Sequence, residues 1–321
     1  IIMEMLKAIG ILLVGFVLLI KGADFFVEGS STVAKKLRIP SIIVGLTIVA
    51  MGTSLPELAV STTASLAGNN AIAISNVVGS NLFNLIVVCG SCALFAPLAI
   101  SKDILKKDFP IAIGCGVLLL VMGIVGMEVC RIDGIILSVL FITYISILVR
   151  AALKARANTK DEENVGKTIP VWLCIIYIVG GIAAIKFGGD FVVDGAVTIA
   201  GKLGLSENLI GLTIVAVGTS LPELVTSVVA ARKNEVDMAL GNAIGSNVFN
   251  ILFVLGIAAS ISPVTFIMEN IYDICVLVAF SLIVWVMAWT KRKLEKKEGF
   301  IMILLYVGYL AYILARNYLF V

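Results

Sequence analysis

The sequence has no histidine, and charged residues occupy only 14% of its 321 positions. The lack of imidazole excludes zinc sites and proton relays built on histidine. Hydrophobic residues make up 60% of the chain, whereas soluble domains carry roughly 45–50% apolar and about 25% charged residues. One soluble core cannot bury such an excess, so we expect a lipid bilayer to solvate part of the surface.

The apolar residues lie in long runs without the alternation of strands, which favours membrane-spanning helices over a β-barrel. A helix of about 20 residues crosses the ~30 Å hydrocarbon layer. The sequence predicts an all-α integral membrane fold with ten such helices, near residues 6–27, 41–66, 71–95, 109–127, 132–149, 171–193, 207–230, 238–261, 271–290 and 299–316.

Lysine and arginine are distributed unevenly among the connections. Those after the odd-numbered spans carry 18 basic residues, whereas the remaining connections and both termini carry four. Because cytoplasmic segments hold the excess of basic residues in membrane proteins, the odd-numbered connections are predicted to face the cytoplasm. We therefore expect a multi-pass protein of the plasma membrane with both termini on the extracellular side.

The chain contains an internal repeat. The segment GLTIVAMGTSLPEL at 45–58 recurs as GLTIVAVGTSLPEL at 211–224, an offset of 166 residues. At the same offset, SNVVGSNLFNLI at 75–86 matches GNAIGSNVFNIL at 241–252. Chance similarity between hydrophobic helices would not keep proline, glutamate and asparagine in register, so the two halves share one architecture.

The repeat divides the chain into a five-helix unit at 1–150, a cytoplasmic linker at 151–170 and a second five-helix unit at 171–321. Because five is odd, the second unit enters the membrane from the opposite side, and the two units are inverted. Inverted repeats with broken helices at the midplane are typical of secondary transporters, in which they provide alternating access.

Each copy of the repeated segment has a proline followed by a glutamate in the middle of a predicted span, Pro56–Glu57 and Pro222–Glu223. Proline interrupts the hydrogen bonds of a helix and frees backbone carbonyls, which a cation can bind. A carboxylate at the centre of a span costs roughly 2.5–3.5 kcal/mol and usually has a function. The two glutamates are therefore candidate cation ligands.

Neither glutamate has an obvious fixed counter-charge. Lys21 and Lys186 lie inside predicted spans, and each has an acid on its own helix, Asp24 or Asp190. Side chains three or four residues apart on a helix are neighbours, so these lysines are expected to pair locally. A mobile cation is then the natural partner of the glutamates, and two carboxylates balance one Ca²⁺ or two Na⁺.

Polar residues accompany the glutamates at helical spacing, which places them on common helix faces. They offer hydroxyl, amide and carbonyl oxygens, the ligands of hard cations rather than of zinc or copper. Asn76 and Asn242 fit a pore-side ligand and an inter-helix hydrogen bond equally well. The predicted faces hold Ala50, Thr53, Ser54, Glu57, Ser80 and Asn84 in the first half, and Ala216, Thr219, Ser220, Glu223, Ser246 and Asn250 in the second.

The paired G-T-S-L-P-E segments, each followed by G-S-N-x-F-N, resemble the two alpha repeats of the cation/Ca²⁺ exchanger superfamily, and within it the sodium/calcium exchanger family. The resemblance covers nearly the whole chain. It implies an antiporter that exchanges Ca²⁺ for Na⁺, without enzymatic activity, a cofactor or a calcium-sensing domain. In this family the first and sixth spans would slide across the other eight helices to switch access.

The resemblance also implies roles for individual residues. Glu57 and Glu223, with oxygens of Thr53 and Thr219, would bind Ca²⁺ at the centre and share the glutamates with Na⁺. The flanking Na⁺ sites would use the carbonyls of Ala50 and Ala216 and the hydroxyls of Ser54, Ser80, Ser220 and Ser246, and Asn84 and Asn250 would complete the arrangement.

Other functions are compatible with parts of this pattern. A proton/Ca²⁺ antiporter would use the same two glutamates, with H⁺ in place of Na⁺. A passive channel or an intramembrane protease fits the inverted, proline-broken helices less well. Asn84 and Asn250 are both amides, whereas potassium-dependent relatives carry an acid at one of these positions, so potassium co-transport is not expected. Nucleic acid and an obligatory protein partner are not expected either.

Overall fold

A computed structural model describes residues 2–68, 70–158, 169–203 and 216–319. Within these ranges, eight helices are long and apolar enough to cross a membrane, and a bent helix pair brings the number of candidate spans up to nine. The protein is therefore a multi-pass membrane protein. The first part of the predicted seventh span, 207–215, and most of the predicted linker lie outside the described residues.

The structure is almost entirely helical. Four strands of two residues each are the exception, and the sequence analysis predicted none of them. In chain order, the elements are α1 (Ile2–Leu37), α2 (Ser41–Thr53), α3 (Leu55–Leu66), α4 (Asn70–Phe95), β1 (Leu98–Ala99), α5 (Ile104–Gly126), β2 (Glu128–Val129), α6 (Arg131–Asn158), α7 (Val171–Lys202), α8 (Ala216–Gly218), α9 (Leu221–Arg232), α10 (Val236–Ile261), β3 (Val264–Thr265), α11 (Met268–Lys291), β4 (Lys293–Leu294) and α12 (Lys296–Leu319).

Helices α4 and α10 form the centre of the molecule. In the most apolar 18-residue window of each, 78% of the residues are buried, against 17–33% for the other candidate spans. Each central helix contains a π-helical turn, at Phe83–Val88 in α4 and at Asn250–Val254 in α10. Further π-helical turns lie in α2 at Gly45–Val49 and in α5 at Ile104–Asp108. Such turns are rare and often occur at functional sites.

Helices α1 and α7 are longer than predicted. Helix α1 has 36 residues and ends at Leu37 instead of near 27, and α7 has 32 residues and ends at Lys202 instead of near 193. At a rise of 1.5 Å per residue they are about 54 and 48 Å long, which exceeds the hydrocarbon layer. The charged residues that ended the predicted spans lie on the same continuous helices.

The two long helices pack against each other through glycines. Gly22 is so close to α7 that a Cβ atom there would lie 2.9 Å from the backbone nitrogen of Ile185. A Cβ atom on Gly188 would lie 2.7 Å from the backbone nitrogen of Leu19. Small residues allow such close approach of membrane helices. This contact, here called the glycine seam, comprises Gly15, Gly22, Gly29, Gly181, Gly188 and Gly195.

The short strands tie the two halves together. Strand β1 pairs with β4, with Leu98 opposite Leu294, and β2 pairs with β3, with Glu128 opposite Thr265. Each two-stranded ribbon therefore joins a connection of the first half to one of the second half. Strands of two residues are too short to produce a sequence alternation, which explains why they were not predicted.

The predicted interruptions occur at the repeated prolines. Helix α2 ends at Thr53, and α3 continues from Leu55 at an angle of 47°. In the second half, α8 ends at Gly218 and α9 begins at Leu221. Pro56 and Pro222 lie in the first turns of α3 and α9, where the missing N–H of proline leaves no helical hydrogen bond unmade.

Candidate cation-binding site

Glu57 and Glu223 lie at the centre of the molecule, and both are completely buried. Each accepts a hydrogen bond from a serine of the other half: Ser54 Oγ donates to Glu223 Oε1 at 2.6 Å, and Ser220 Oγ donates to Glu57 Oε1 at 3.2 Å. Both serines occupy the breaks between paired helices. The crossed hydrogen bonds show that the two glutamates belong to one site.

Central helices α4 and α10 add hydroxyl groups to this site. Ser80 Oγ lies 3.4 Å from Glu57 Oε1, and Ser246 Oγ lies 3.5 Å from the carbonyl oxygen of Ala50. That carbonyl also lies 3.3 Å from Thr53 Oγ1. Carboxylate, hydroxyl and backbone carbonyl oxygens therefore converge from α2, α3, α4 and α10.

Several buried polar atoms of the site have no hydrogen-bond partner among the described residues. They are Oε2 of Glu57, Oε2 of Glu223, both amide atoms of Asn84, and Oδ1 of Asn250. An unsatisfied buried polar group costs roughly 1–3 kcal/mol, and more when it is charged. All of these atoms except the amide nitrogen of Asn84 are oxygens, so a hard cation would satisfy most of them.

The site has no fixed cationic partner in the part of the chain that the structure describes. The ion pairs there join lysines and arginines to other acids, all outside this centre. Within the same residues, no three histidine, cysteine, aspartate or glutamate side chains form a cluster that could hold a metal. Two carboxylates surrounded by neutral oxygens are a ligand set that suits hard cations.

Asn76 and Asn242 bridge helices. Asn76 Nδ2 donates to Ser61 Oγ at 2.9 Å and to the carbonyl of Glu57 at 3.2 Å. Asn242 repeats these contacts with Ser227 Oγ at 2.9 Å and with the carbonyl of Glu223 at 3.4 Å. Of the two interpretations left open by the sequence, the structure therefore supports the inter-helix hydrogen bond.

The threonines of the two breaks have different surroundings. Thr53 is buried and donates to Asn242 Oδ1 at 3.0 Å or to the carbonyl of Val49 at 3.1 Å. Thr219 is half-buried, and its hydroxyl lies 3.5 Å from Asn76 Oδ1. Ala216 is described as the first residue of α8, and its side chain lies outside the described part.

Sequence reasoning missed one pair of residues at the centre. Asn81 Nδ2 donates to the carbonyl of Asn247 at 3.2 Å, and Asn247 Nδ2 donates to the carbonyl of Asn81 at 3.1 Å. Asn250 Nδ2 also donates to Asn81 Oδ1 at 3.1 Å. These bonds join α4 to α10 and position Asn250. The signal was available, since Asn81 and Asn247 repeat at the common offset within the G-S-N-x-F-N segments.

An open cleft leads from one surface towards the site. It has a volume of about 710 Å³ and lies between α7 on one side and the ends of α3, α8 and α9 on the other. Thr219 and Pro222 line it beside the second helix break. Its α7 wall carries Asp190 and Asp194. The surface where α3 ends and α4 begins is called the cleft face below.

The opposite surface, where α1 ends and α2 begins, is called the closed face below: polar contacts there join α1 to the connection after α9, beside a smaller pocket of about 330 Å³. Lys233 Nζ lies 2.8 Å from Asp24 Oδ1 and 3.9 Å from Glu28 Oε2. The expected pairing of Asp24 with Lys21 is therefore wrong, because Lys233 at the end of α9 reaches Asp24 instead. The parallel expectation for the second half is confirmed, with Lys186 Nζ 2.7 Å from Asp190.

Glu235 adds further contacts at this closed face. It accepts hydrogen bonds from Ser31 and, at 3.1 Å, from Ser41, and it lies 3.2 Å from Lys35 Nζ. Burial raises the pKa of Glu235, but the hydrogen bonds from Ser31 and Lys35 outweigh burial and hold the pKa below its ordinary value of 4.5. Glu235 therefore joins the connection between α9 and α10 to both α1 and α2.

Comparison with known proteins adds independent information. The family model described as "Sodium/calcium exchanger protein" matches residues 7–150 and 173–315. The putative antiporter CaxA of Alkalimonas amylolytica is 39% identical over 95% of this chain and 98% of its own length. The sodium/calcium exchanger MaX1 of Methanosarcina acetivorans is 34% identical over 94% of this chain and 96% of its own.

The fold also resembles solved structures. A structure of the sodium-calcium exchanger NCX_Mj soaked with Na⁺ and Sr²⁺ superimposes with a TM-score of 0.84 at 32% sequence identity. The match covers 96% of this chain and 99% of that one. A second structure, soaked with Na⁺ and Ca²⁺, gives a TM-score of 0.83 over 95% of this chain and 98% of the other.

Proposed function

Because the chain belongs to the sodium/calcium exchanger protein family, we propose that it is an antiporter that exchanges Ca²⁺ for Na⁺ at the site around Glu57 and Glu223. The observation that carries this proposal is the pair of fully buried glutamates, each with one carboxylate oxygen lacking a partner among the described residues. A buried carboxylate without a fixed counter-charge is costly, so a transported cation supplies the missing charge.

The ligands divide into a central and a flanking set. Ca²⁺ binds at the centre, where the two carboxylates balance its charge. Na⁺ ions use the same carboxylates and the surrounding neutral oxygens, so the two ions exclude each other. The central set is Glu57, Glu223, Thr53 and Thr219, and the flanking set is Ala50, Ser54, Ser80, Asn84, Ala216, Ser220, Ser246 and Asn250.

Exchange follows from the electrostatics of the site. The empty site carries two negative charges in a region without a fixed cation, which makes its movement across the membrane unfavourable. Loading with one Ca²⁺ or with Na⁺ removes that charge. Only the loaded forms then change access, and inward movement of one ion is coupled to outward movement of the other.

Alternating access by inverted repeats is the second part of the proposal. In this arrangement the two halves at 1–150 and 171–321 each contribute five spans, with a cytoplasmic linker at 151–170 and both termini outside the plasma membrane. The 166-residue offset that relates the halves also relates the crossed contacts of Asn81 and Asn247, which supports it. The cleft face is then extracellular, and the closed face is cytoplasmic.

Movement of α1 and α7 as one body would switch the access. The glycine seam supports this part, because it holds the two helices at backbone contact distance. If the pair slides along its own axis, the cleft beside Asp190 closes as the contacts of Asp24 with Lys233 separate. The two long helices then act as the moving part, and the eight other spans hold the site.

A flux assay tests the proposal. The purified protein is reconstituted into vesicles loaded with Na⁺, and uptake of radioactive Ca²⁺ is measured with and without an outward Na⁺ gradient. Uptake should require the gradient and should fall at least 100-fold in Glu57→Gln and Glu223→Gln, since one lost charge leaves the bound Ca²⁺ uncompensated. The exposed Glu269→Gln serves as a charge-matched control and should transport normally.

The same vesicles separate the competing couplings. A proton gradient imposed without Na⁺ should not drive Ca²⁺ uptake; if it does, and Na⁺ has no effect, the protein is a proton/Ca²⁺ antiporter. Addition of K⁺ should not change the rate, because both Asn84 and Asn250 are neutral amides. Uptake that survives in both glutamine variants would contradict the proposed site.

A further inference from the structure

A second polar pocket lies at the closed face, away from the glutamates. It has a volume of about 500 Å³ and is formed where the start of α5 meets the end of α11, beside the β1–β4 ribbon. Three lysines and an arginine line it together with a tryptophan: Lys102, Lys106, Lys291, Arg292 and Trp289. The proposed exchange assigns no role to this pocket.

Most of the positive charge in the pocket is uncompensated. Lys291 is paired, at 3.1 Å from Glu295 and 3.7 Å from Glu298. For Lys102, Lys106 and Arg292, no acid lies within ion-pair distance among the residues that the structure describes. The neighbouring acid Asp103 is 3.0 Å from Lys107 instead. Three cations therefore remain available to an anionic ligand.

Tryptophans mark the pocket as part of the membrane–water boundary. Trp289 is 44% exposed at the wall of the pocket, and its ring packs edge to face against Trp285 with centroids 6.1 Å apart. Trp285 Nε1 donates to the carbonyl of Leu105 at 2.8 Å, which fixes the end of α11 to the start of α5. Tryptophan is enriched at the level of the lipid headgroups, where its ring contacts lipid and its N–H meets polar groups.

The opposite end of the molecule shows that the fold itself does not require these cations. The β2–β3 ribbon has the same construction, and a residue with a left-handed backbone precedes one strand of each ribbon: Arg292 with φ 53° and Met127 with φ 50°. At the repeat offset, Met268 and Tyr272 stand where Lys102 and Lys106 stand here. The ribbon is therefore repeated, whereas Lys102 and Lys106 have no basic counterpart at the repeat offset.

We propose that this pocket binds the phosphate group of an anionic phospholipid, with Lys102, Lys106 and Arg292 around the phosphate and Trp289 against the glycerol and upper acyl chain. Basic pockets between membrane helices on one face of the bilayer suit such headgroups. A headgroup is favoured over free phosphate because the pocket is at the lipid boundary and has an exposed aromatic wall. The proposal does not rest on the transported ions.

Fluorescence quenching by brominated lipids tests this site. A Trp172→Phe variant leaves Trp285 and Trp289 as the emitting residues, since the chain has three tryptophans. The protein is reconstituted with brominated phosphatidylglycerol diluted into plain phosphatidylcholine, and with the reverse labelling. Quenching should show at least a roughly tenfold preference for phosphatidylglycerol, because the three unpaired basic residues attract its negative headgroup and not the zwitterionic one of phosphatidylcholine.

Two charge-matched variants separate a built site from general attraction. Lys102→Gln/Lys106→Gln/Arg292→Gln should lose the preference, whereas Lys154→Gln/Lys296→Gln/Lys297→Gln removes three exposed charges elsewhere and should keep it. An equal loss in both variants would overturn the proposal, as would an unchanged preference in the first. Millimolar inorganic phosphate should leave the quenching intact; its full reversal would assign the pocket to a soluble anion and overturn the lipid assignment.

Discussion

The two ends of the α1–α7 pair carry the same repeated sequence in opposite surroundings. Asp24 and Glu28 of α1 correspond to Asp190 and Asp194 of α7 at the common offset. The first pair lies at the closed face beside Lys233, and the second pair lines the open cleft. At the position equivalent to Lys233, the first half has Ala67, which also lines the cleft.

The repeated residues and the unmatched residues therefore have different structural roles. The repeated residues build the same helix breaks, asparagine bridges and glutamates in each half. Residues that are not repeated give each end its own contacts. Lys233 and Glu235 of the second half correspond to Ala67 and Asn69 in the sequence of the first half. The two ends of the repeat therefore carry different contacts in this structure: Lys233 and Glu235 bind α1 at one end, and the cleft is open at the other.

The largest effect is expected from separating the two long helices. In Gly188→Leu the new side chain would meet the backbone of Leu19, where even a Cβ atom would lie at 2.7 Å. Overpacking of this kind costs about 1–3 kcal/mol or more, so the thermal unfolding midpoint should fall by several degrees. Ca²⁺ uptake in exchange for Na⁺ should be lost. Gly180→Leu is the matched control, because nothing lies within 4 Å of a Cβ atom there. Equal stability of the two variants would contradict the seam.

Removing the cation of the closed face should have the next largest effect. In Lys233→Gln, Asp24 and Glu28 lose their partner, which favours opening of this end. A partly exposed ion pair contributes up to about 1 kcal/mol, so the equilibrium constant for opening of this end should rise roughly fivefold at most. Hydrogen–deuterium exchange should rise in residues 27–37 and not in the control Lys36→Gln. An unchanged exchange rate would mean that this contact does not hold the end closed.

The reverse experiment supplies the missing cation to the first half. Ala67→Lys places an ammonium group in the cleft that Asp190 and Asp194 also line, and its attraction to these acids should favour closure of the cleft face. The equilibrium constant for opening of the cleft face should fall about two- to fivefold, whereas Lys233→Gln raises the corresponding constant at the closed face. The readout is slower exchange of the backbone amides of residues 186–200. Ala71→Lys, which adds the same charge at the same face, should leave that exchange as it is.

The smallest effect is expected from acidification. The folded pKa of Glu235 lies below its ordinary value of 4.5, so its contribution to the closed face is fully present above that pH. The contribution is lost as the pH falls through the folded pKa, because protonation removes the negative charge that strengthens the bonds from Ser31 and Lys35. After division by the intrinsic rate of amide exchange at each pH, the opening equilibrium of residues 27–37 should shift towards the open form at acidic pH in the wild type. Glu235→Gln should show this shift already at neutral pH, with a weaker dependence on pH.

The sequence alone predicted which residues meet at the centre of the molecule. Proline, glutamate, serine and asparagine recur at one offset, and such polar residues have few other reasons to lie in the middle of an apolar span. The structure brings Glu57 and Glu223 together with Ser54 and Ser220 through crossed hydrogen bonds. Their roles as ion ligands remain predictions, which the flux assay tests.

Long-range pairings were beyond sequence reasoning. The contact of Asp24 with Lys233 joins residues in different halves, and a nearer lysine on the same helix gave a plausible but wrong partner. The glycine seam had a visible signal, since Gly15, Gly22 and Gly29 recur every seven residues. Spacing alone does not identify the helix that packs against them, because any neighbouring helix can contact such a stripe.

The most direct test of the account is diffraction from crystals soaked with Sr²⁺ in place of Ca²⁺, measured at a wavelength where strontium scatters anomalously. The account predicts one strong anomalous peak between the carboxylates of Glu57 and Glu223, which disappears when the same crystals are returned to high Na⁺. A peak elsewhere, or no peak while both carboxylates contact a lysine or arginine, would contradict it.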